Sequence, residues 1–163
     1  MTKIFAHRGA SAYAPENTMA AFQSALLRGY KAVETDVQFT KDNVPVILHD
    51  STINRTSNGS GRIMDLTFDE VRQYDFGSWK SEAYADEKIP SFQEFIEFCK
   101  ENSVHPYIEL KTTITQNDIE KIQKLLEIVS VAGMQKDVSW FSFSYNLVEM
   151  VKDVDPTADI GVV

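Results

Sequence analysis

The sequence predicts an α/β fold built on a parallel sheet with helical crossovers, and three observations carry that expectation. Short strand-like runs alternate with amphipathic, helix-like segments along most of the chain. Two capping boxes, Thr67…Glu70 and Ser91…Glu94, mark helix starts. Three strand-like runs carry charge near their C-terminal ends, the edge at which parallel α/β sheets bind ligands.

Ile4-Phe5-Ala6 predicts a short buried strand. Asn17 can cap a helix with Met19, Phe22 and Leu26 on one face, stopped by Gly29. From Ala32 to Thr40, Val33, Thr35, Val37 and Phe39 alternate with Glu34, Asp36 and Gln38, a strand pattern. Lys41-Asp42-Asn43 is a turn, followed by a second run from Val44 to His49. A three-residue connection cannot join parallel neighbours, so 34–49 reads as an antiparallel hairpin that folds His49 back beside Glu34 and Asp36. Residues 50–90 are turn-rich, with one modest helix presenting Phe68 and Val71. Ser91 opens a helix with Phe92, Phe95, Ile96 and Cys99 on one stripe, and Tyr107 to Lys111 is a strand. Asn117, with Glu120 three residues on, caps a helix carrying Ile119, Ile122, Leu126 and Val129 and ending at Gly133. A strand from Val138 to Phe143, a helix from Leu147 to Val154 and a strand from Ile160 complete the pattern.

Composition bounds the function. A length of 163 residues with 43% hydrophobic content suits one domain with a sizeable core. Sixteen Lys and Arg against 24 Asp and Glu give a net charge of −8, which disfavours nucleic acid as a partner because phosphate neutralisation needs a basic surface. No apolar run approaches the ~18 residues of a transmembrane segment, and the opening MTKIFAHRG lacks the apolar core of a signal peptide. Cys99 is the one cysteine, so an internal disulfide is excluded and a reducing, cytoplasmic location is expected. An acidic chain can still handle an anion where a bound cation and a few local bases reverse the field.

The charged strand ends supply such a place. They read Ala6-His7-Arg8-Gly9, Val33-Glu34-Thr35-Asp36 and Ile108-Glu109-Leu110-Lys111. Residues i and i+2 of a strand share a face, so Glu34 points with Asp36 and Glu109 with Lys111. Each carboxylate alone could simply pair with a base, Arg8 with Glu34 and Lys111 with Glu109. Three together, each interrupting a buried strand at one end, repel unless a cation neutralises them. Oxygen ligands of this kind suit one hard divalent cation, Ca²⁺ or Mg²⁺. His7 and His49 fall beside the cluster, with Asp50 next to His49 and able to orient its ring, and such histidines suit acid–base hydrolysis. His105 precedes Pro106 at the opposite end of its strand and reads as structural. No Cys or second-His spacing typical of zinc is present. Gly59-Ser60-Gly61 lacks the Gly-Lys-Ser/Thr ending of a phosphate-binding loop and reads as a tight turn.

Five segments in order, HRGASAYAPENT at 7–18, ETDVQFTKDNVPVILHD at 34–50, NRTSNGSG at 54–61, IPSFQEF at 89–95 and IELK at 108–111, resemble the glycerophosphodiester phosphodiesterase family. The resemblance implies a TIM (β/α)₈ barrel of the phospholipase C-like phosphodiesterase type, in which 1–163 form a single incomplete domain and 51–88 a small insertion after the second strand and its hairpin. It implies metal-dependent hydrolysis of glycerophosphodiesters, small-molecule substrates, to sn-glycerol 3-phosphate and an alcohol. Glu34, Asp36 and Glu109 match the metal ligands, His7 and His49 the general acid/base pair, and Arg8 and Lys111 the phosphate contacts. Water or the glycerol 2-hydroxyl, the latter through a cyclic phosphate, can serve as nucleophile.

Such a barrel usually needs ~250 residues, and about five barrel strands are countable here. An open arc exposes edges and a lumen face, which Val33, Ile108 and Leu110 would line. The expectation is therefore a C-terminal segment completing the barrel, or a homo-oligomer covering the open side. Two alternatives share the same residues: a lysophospholipase D-like enzyme, which needs an acyl groove, and a non-catalytic barrel fragment.

Overall fold

In the computed structural model, which describes residues 4–115 and 118–163, the chain is organised on a five-stranded sheet. Its strands are β1 (Ala32–Phe39), β2 (Pro45–Ile47), β3 (His105–Leu110), β4 (Ser139–Ser142) and β5 (Asp159–Val162), in the spatial order β2-β1-β3-β4-β5. β1, β3, β4 and β5 are parallel, and β2 returns antiparallel to β1 with Val37 opposite Ile47. Helix α1 (Met19–Leu27) precedes β1, α2 (Phe68–Val71) lies in the turn-rich stretch, and α3 (Phe92–Asn102) leads into β3. Helices α4 (Ile119–Ala132) and α5 (Tyr145–Val154) are the crossovers from β3 to β4 and from β4 to β5. Both predicted capping boxes form in full, at Thr67/Glu70 and Ser91/Glu94. Each satisfies two otherwise orphaned backbone donors, and an N-cap side chain is worth ~1 kcal/mol.

The register decides which face each strand residue takes. Glu34 is level with Tyr107, and Asp36 with Glu109 and then Phe141, so these side chains share the inner face. Thr35, Ile108 and Trp140 line up on the other face, under the helices. Phe22, Phe92, Phe95, Ile96, Leu125 and Val151 are buried there against Val33, Ile108, Leu110 and Trp140. A smaller cluster of Val46, Leu48, Ile53, Ile63, Val71, Phe76 and Ile89 lies under the turn-rich stretch.

Several expectations are corrected. Ile4 and Phe5 are exposed and form no strand; the segment is reduced to a single parallel bridge from Ala6 to Val33, because no strand flanks its other side among the described residues. Val33, Ile108 and Leu110 face the helices rather than the lumen, since in β1 and β3 the charged alternation marks the inner face. The helix cap is Thr18, whose hydroxyl accepts from the Ala21 N–H, rather than Asn17. β2 is shorter than the Val44–His49 run, and the proposed Asn117 cap lies outside the described residues. Cys99 is fully buried, as its place on the apolar stripe requires. Among the described residues no helix is long and apolar enough to cross a membrane.

Candidate active site

Three elements bring the predicted residues to one end of the sheet. The turn after Ala6 carries His7 and Arg8, the end of β1 carries Glu34 and Asp36, and the end of β3 carries Glu109 followed by Lys111. The first turn depends on Gly9, which has φ +75°, and a Cβ there would meet the Ala21 backbone at 2.7 Å. Gly9→Ala should cost at least ~1–2 kcal/mol from the left-handed backbone alone, with the Ala21 overlap added. Thermal unfolding of the variant checks this, and an unchanged midpoint would show that the turn tolerates a side chain.

Glu34, Asp36 and Glu109 are all buried, and each offers an oxygen within 4.8 Å of the others'. Asp36 Oδ2 accepts from Asn17 Nδ2 at 2.7 Å and lies 3.4 Å from Arg8 Nε. Lys111 Nζ sits 2.7 Å from Asp36 Oδ1 and 2.6 Å from Glu109 Oε1. The Arg8 backbone N–H donates to Glu34 Oε2 at 2.9 Å. The simple pairing of Arg8 with Glu34 is thus made by the backbone, while the guanidinium turns to Glu16 and Asp36. Despite the Lys111 contact, Asp36 Oδ1 makes no aligned hydrogen bond among the described residues, and neither does buried Arg8 Nε.

Three carboxylates against Arg8 and Lys111 leave one excess negative charge in a buried pocket. Glu34 shows the consequence: burial first, then the Asp36 charge, raises its pKa to about 8. A divalent cation would relieve the same excess, and the all-oxygen donor set with an unsatisfied Asp36 oxygen fits one.

The two histidines come from different segments. His7 Nε2 lies 3.7 Å from Glu34 Oε2. Partial burial, and then the adjacent Arg8 charge, lower the His7 pKa below its ordinary value. His49 follows the β2 return, and its Nδ1 is 2.7 Å from Asp50 Oδ1. Gln38, buried on the inner face of β1, donates from Nε2 to the carbonyl oxygens of Leu48, His49 and Asp50, fixing the backbone that carries His49. His105 is remote from this end, and its Nε2 contacts Ser139 Oγ at 2.9 Å.

Asn17, Glu16, Gln38 and Arg55 are site neighbours that sequence reasoning assigned no such role. Asn17 has φ +58°, and it bridges Asp36 and Thr35, donating from Nδ2 and accepting at Oδ1 from the Thr35 hydroxyl at 3.0 Å. The stretch 80–88 braces the His7 loop, with Lys80 Nζ donating to Ser11 O and the Tyr84 hydroxyl to Tyr13 O. Only the polarity of Pro15-Glu16-Asn17 beside the first strand end hinted at the inner pair.

Comparison with known proteins places this geometry. A sequence model of the glycerophosphoryl diester phosphodiesterase family matches residues 7–163. A glycerophosphodiester phosphodiesterase of Caldanaerobacter subterraneus subsp. tengcongensis is 36% identical over 162 residues, covering 99% of this chain and 66% of that protein. An Oleispira antarctica phosphodiesterase, solved in complex with the product sn-glycerol-3-phosphate, superposes with a TM-score of 0.92 at 34% identity, covering 99% of this chain and 66% of that one. A glycerophosphodiester phosphodiesterase from Agrobacterium tumefaciens gives a TM-score of 0.88 at 32% identity, covering 98% and 66%. The chain thus spans just under two thirds of the length of these relatives. The open sheet is part of a (β/α)₈ barrel, with its inner face as the lumen side.

Proposed function

The chain belongs to the glycerophosphoryl diester phosphodiesterase family, and from that premise we propose that it serves metal-dependent hydrolysis of glycerophosphodiesters to sn-glycerol 3-phosphate and an alcohol. The observation that carries the proposal is the convergence of Glu34, Asp36 and Glu109 within 4.8 Å, with His7, Arg8 and Lys111 against them and His49 tied to Arg8 through Asp50, Arg55 and Glu16. Residues 1–163 act in this reading as one incomplete barrel domain, with 51–88 as its insertion.

Glu34, Asp36 and Glu109 would hold one Ca²⁺ or Mg²⁺ ion. When bound, that cation supplies Lewis-acid polarisation of the phosphoryl oxygens and offsets their charge. Arg8 and Lys111 bind and orient the phosphodiester, a guanidinium and an ammonium set against its non-bridging oxygens. One histidine takes the proton from the attacking hydroxyl as the new P–O bond forms. The other gives a proton to the departing alkoxide as the old P–O bond breaks. Partial desolvation and the adjacent Arg8 charge lower the His7 pKa, which favours the neutral imidazole from which a general base starts.

Choline release from glycerophosphocholine, measured beside lysophosphatidylcholine and with and without chelator, tests the reading. The expected result is chelator-sensitive release from glycerophosphocholine with little from the lysolipid. A preference for the lysolipid would support the lysophospholipase D-like alternative, and chelator-resistant turnover would remove the cation from the account.

A further inference from the structure

Arg55 stands outside the cluster just described, yet it makes the densest ionic contacts in the neighbourhood. Its Nε and Nη2 donate to Asp50 Oδ2 and Oδ1 at 2.7 and 3.0 Å. Its Nη1 and Nη2 donate to Glu16 Oε2 and Oε1 at 2.9 and 2.8 Å. Four of the five guanidinium N–H groups are thus spent on two carboxylates, each gripped in bidentate fashion. Both carboxylates reach onward to the site. Asp50 Oδ1 contacts His49 Nδ1 at 2.7 Å, and Glu16 Oε1 accepts from Arg8 Nη1 at 2.9 Å. One continuous chain, Arg8–Glu16–Arg55–Asp50–His49, therefore joins the His7–Arg8 loop, the hairpin return and the turn-rich stretch.

We propose that Arg55 is a positioning residue for the reaction, clamping Asp50 and Glu16 so that His49 is held as its Nδ1–H tautomer at a fixed place relative to Arg8. The proposal rests on the reading of His49 as an acid/base residue and adds the group that sets its geometry. The tautomer follows from charge. Hydrogen bonds from Arg55 above all hold the Asp50 pKa at about 2, so at neutral pH Asp50 is a carboxylate that can only accept. His49 Nδ1 must then be the donor, which leaves Nε2 as the atom that gains or loses the reaction's proton. Glu16 is held below its ordinary value as well: burial alone would raise it, but hydrogen bonds from Arg55 and Arg8 outweigh that.

A stability role is a weaker account of the same contacts. The Arg55 side chain is 44% exposed, and exposed ion pairs are typically worth ~0–1 kcal/mol. An orienting role needs no such energy, only that the carboxylate behind the imidazole be fixed. Lysine cannot reproduce the clamp, because a single ammonium does not present two parallel donor pairs.

The experiment compares parent, Arg55→Ala and Arg55→Gln in two readouts: kcat and KM for glycerophosphocholine, and the His49 tautomer from long-range ¹⁵N–¹H NMR correlation. The parent should show the Nδ1–H form. Arg55→Ala should lower kcat by about 10–100-fold, the loss typical when the hydrogen-bond partner that orients a metal-ligating histidine is removed, with KM moving by a smaller factor. Its His49 signal should shift to mixed tautomers, and millimolar guanidinium should restore part of kcat. Arg55→Gln should behave alike and serves if the alanine variant fails to fold. An unchanged tautomer with kcat within twofold of the parent would overturn the proposal while leaving the phosphodiesterase reading intact. A parent without phosphodiesterase activity would overturn that reading, and the tautomer comparison would still decide whether Arg55 positions His49.

Discussion

His7→Ala and His49→Ala should each lower kcat by about 10²–10⁴-fold, the usual contribution of a general acid or base, while His105→Ala leaves it nearly unchanged. The contrast follows from placement. His7 lies 3.7 Å from Glu34 and His49 is backed by Asp50, whereas His105 contacts Ser139 at the far end of β3. A double variant should lose less than the product of the single losses, because the two proton transfers serve one displacement. Steady-state kinetics with thermal unfolding as a control for folding checks all four proteins. Equal losses from His7, His49 and His105 would contradict the assignment.

Cation binding should release about one proton at pH 7, and its affinity should rise with pH toward about 8. Glu34 carries the effect, since its pKa is raised to about 8 by burial and by Asp36, and a carboxylate must be deprotonated to ligate a metal. The sign for folding runs the same way. Without a cation, native Glu34 holds a proton that the unfolded chain gives up above the ordinary value of 4.5. Stability from this group therefore falls as pH rises from about 4.5 through about 8. Added Ca²⁺ or Mg²⁺ should raise the unfolding midpoint by an increment that grows across that window. Calorimetry in two buffers of different ionisation enthalpy reads the proton directly. Glu34→Gln should abolish the proton release and weaken binding sharply while keeping the fold. A pH-independent affinity with no proton release would contradict this account of the excess charge.

Much of this arrangement was legible in the sequence because it is local. Capping boxes span four residues, and the i, i+2 spacing alone puts Glu34 beside Asp36. The hairpin, too, follows from a three-residue connection. Glu109 joins the pair only through the β1–β3 register, which sets it level with Asp36, and the charged strand ends hinted at that. What stayed hidden was long-range or two-sided. Apolarity says nothing about which side of a strand the helices cover, so it puts Val33, Ile108 and Leu110 in the lumen although they face the helices. The Ile4–Ala6 run is apolar enough for a strand, but a ladder needs a partner along its whole length. Asn17 reads as a cap because that residue type favours one, yet Thr18 takes the role. Its contact with Asp36, and those of Arg55 with Glu16, join residues 19 and 39 positions apart, which no local pattern encodes.

The most direct test of the central claim is diffraction from crystals soaked in Mn²⁺, a surrogate for Mg²⁺ with the same preference for oxygen ligands, together with sn-glycerol 3-phosphate. The account predicts one anomalous peak about 2.0–2.6 Å from oxygens of Glu34, Asp36 and Glu109, with the phosphate against Arg8 and Lys111. No peak there, or a phosphate bound away from the three carboxylates, would contradict it.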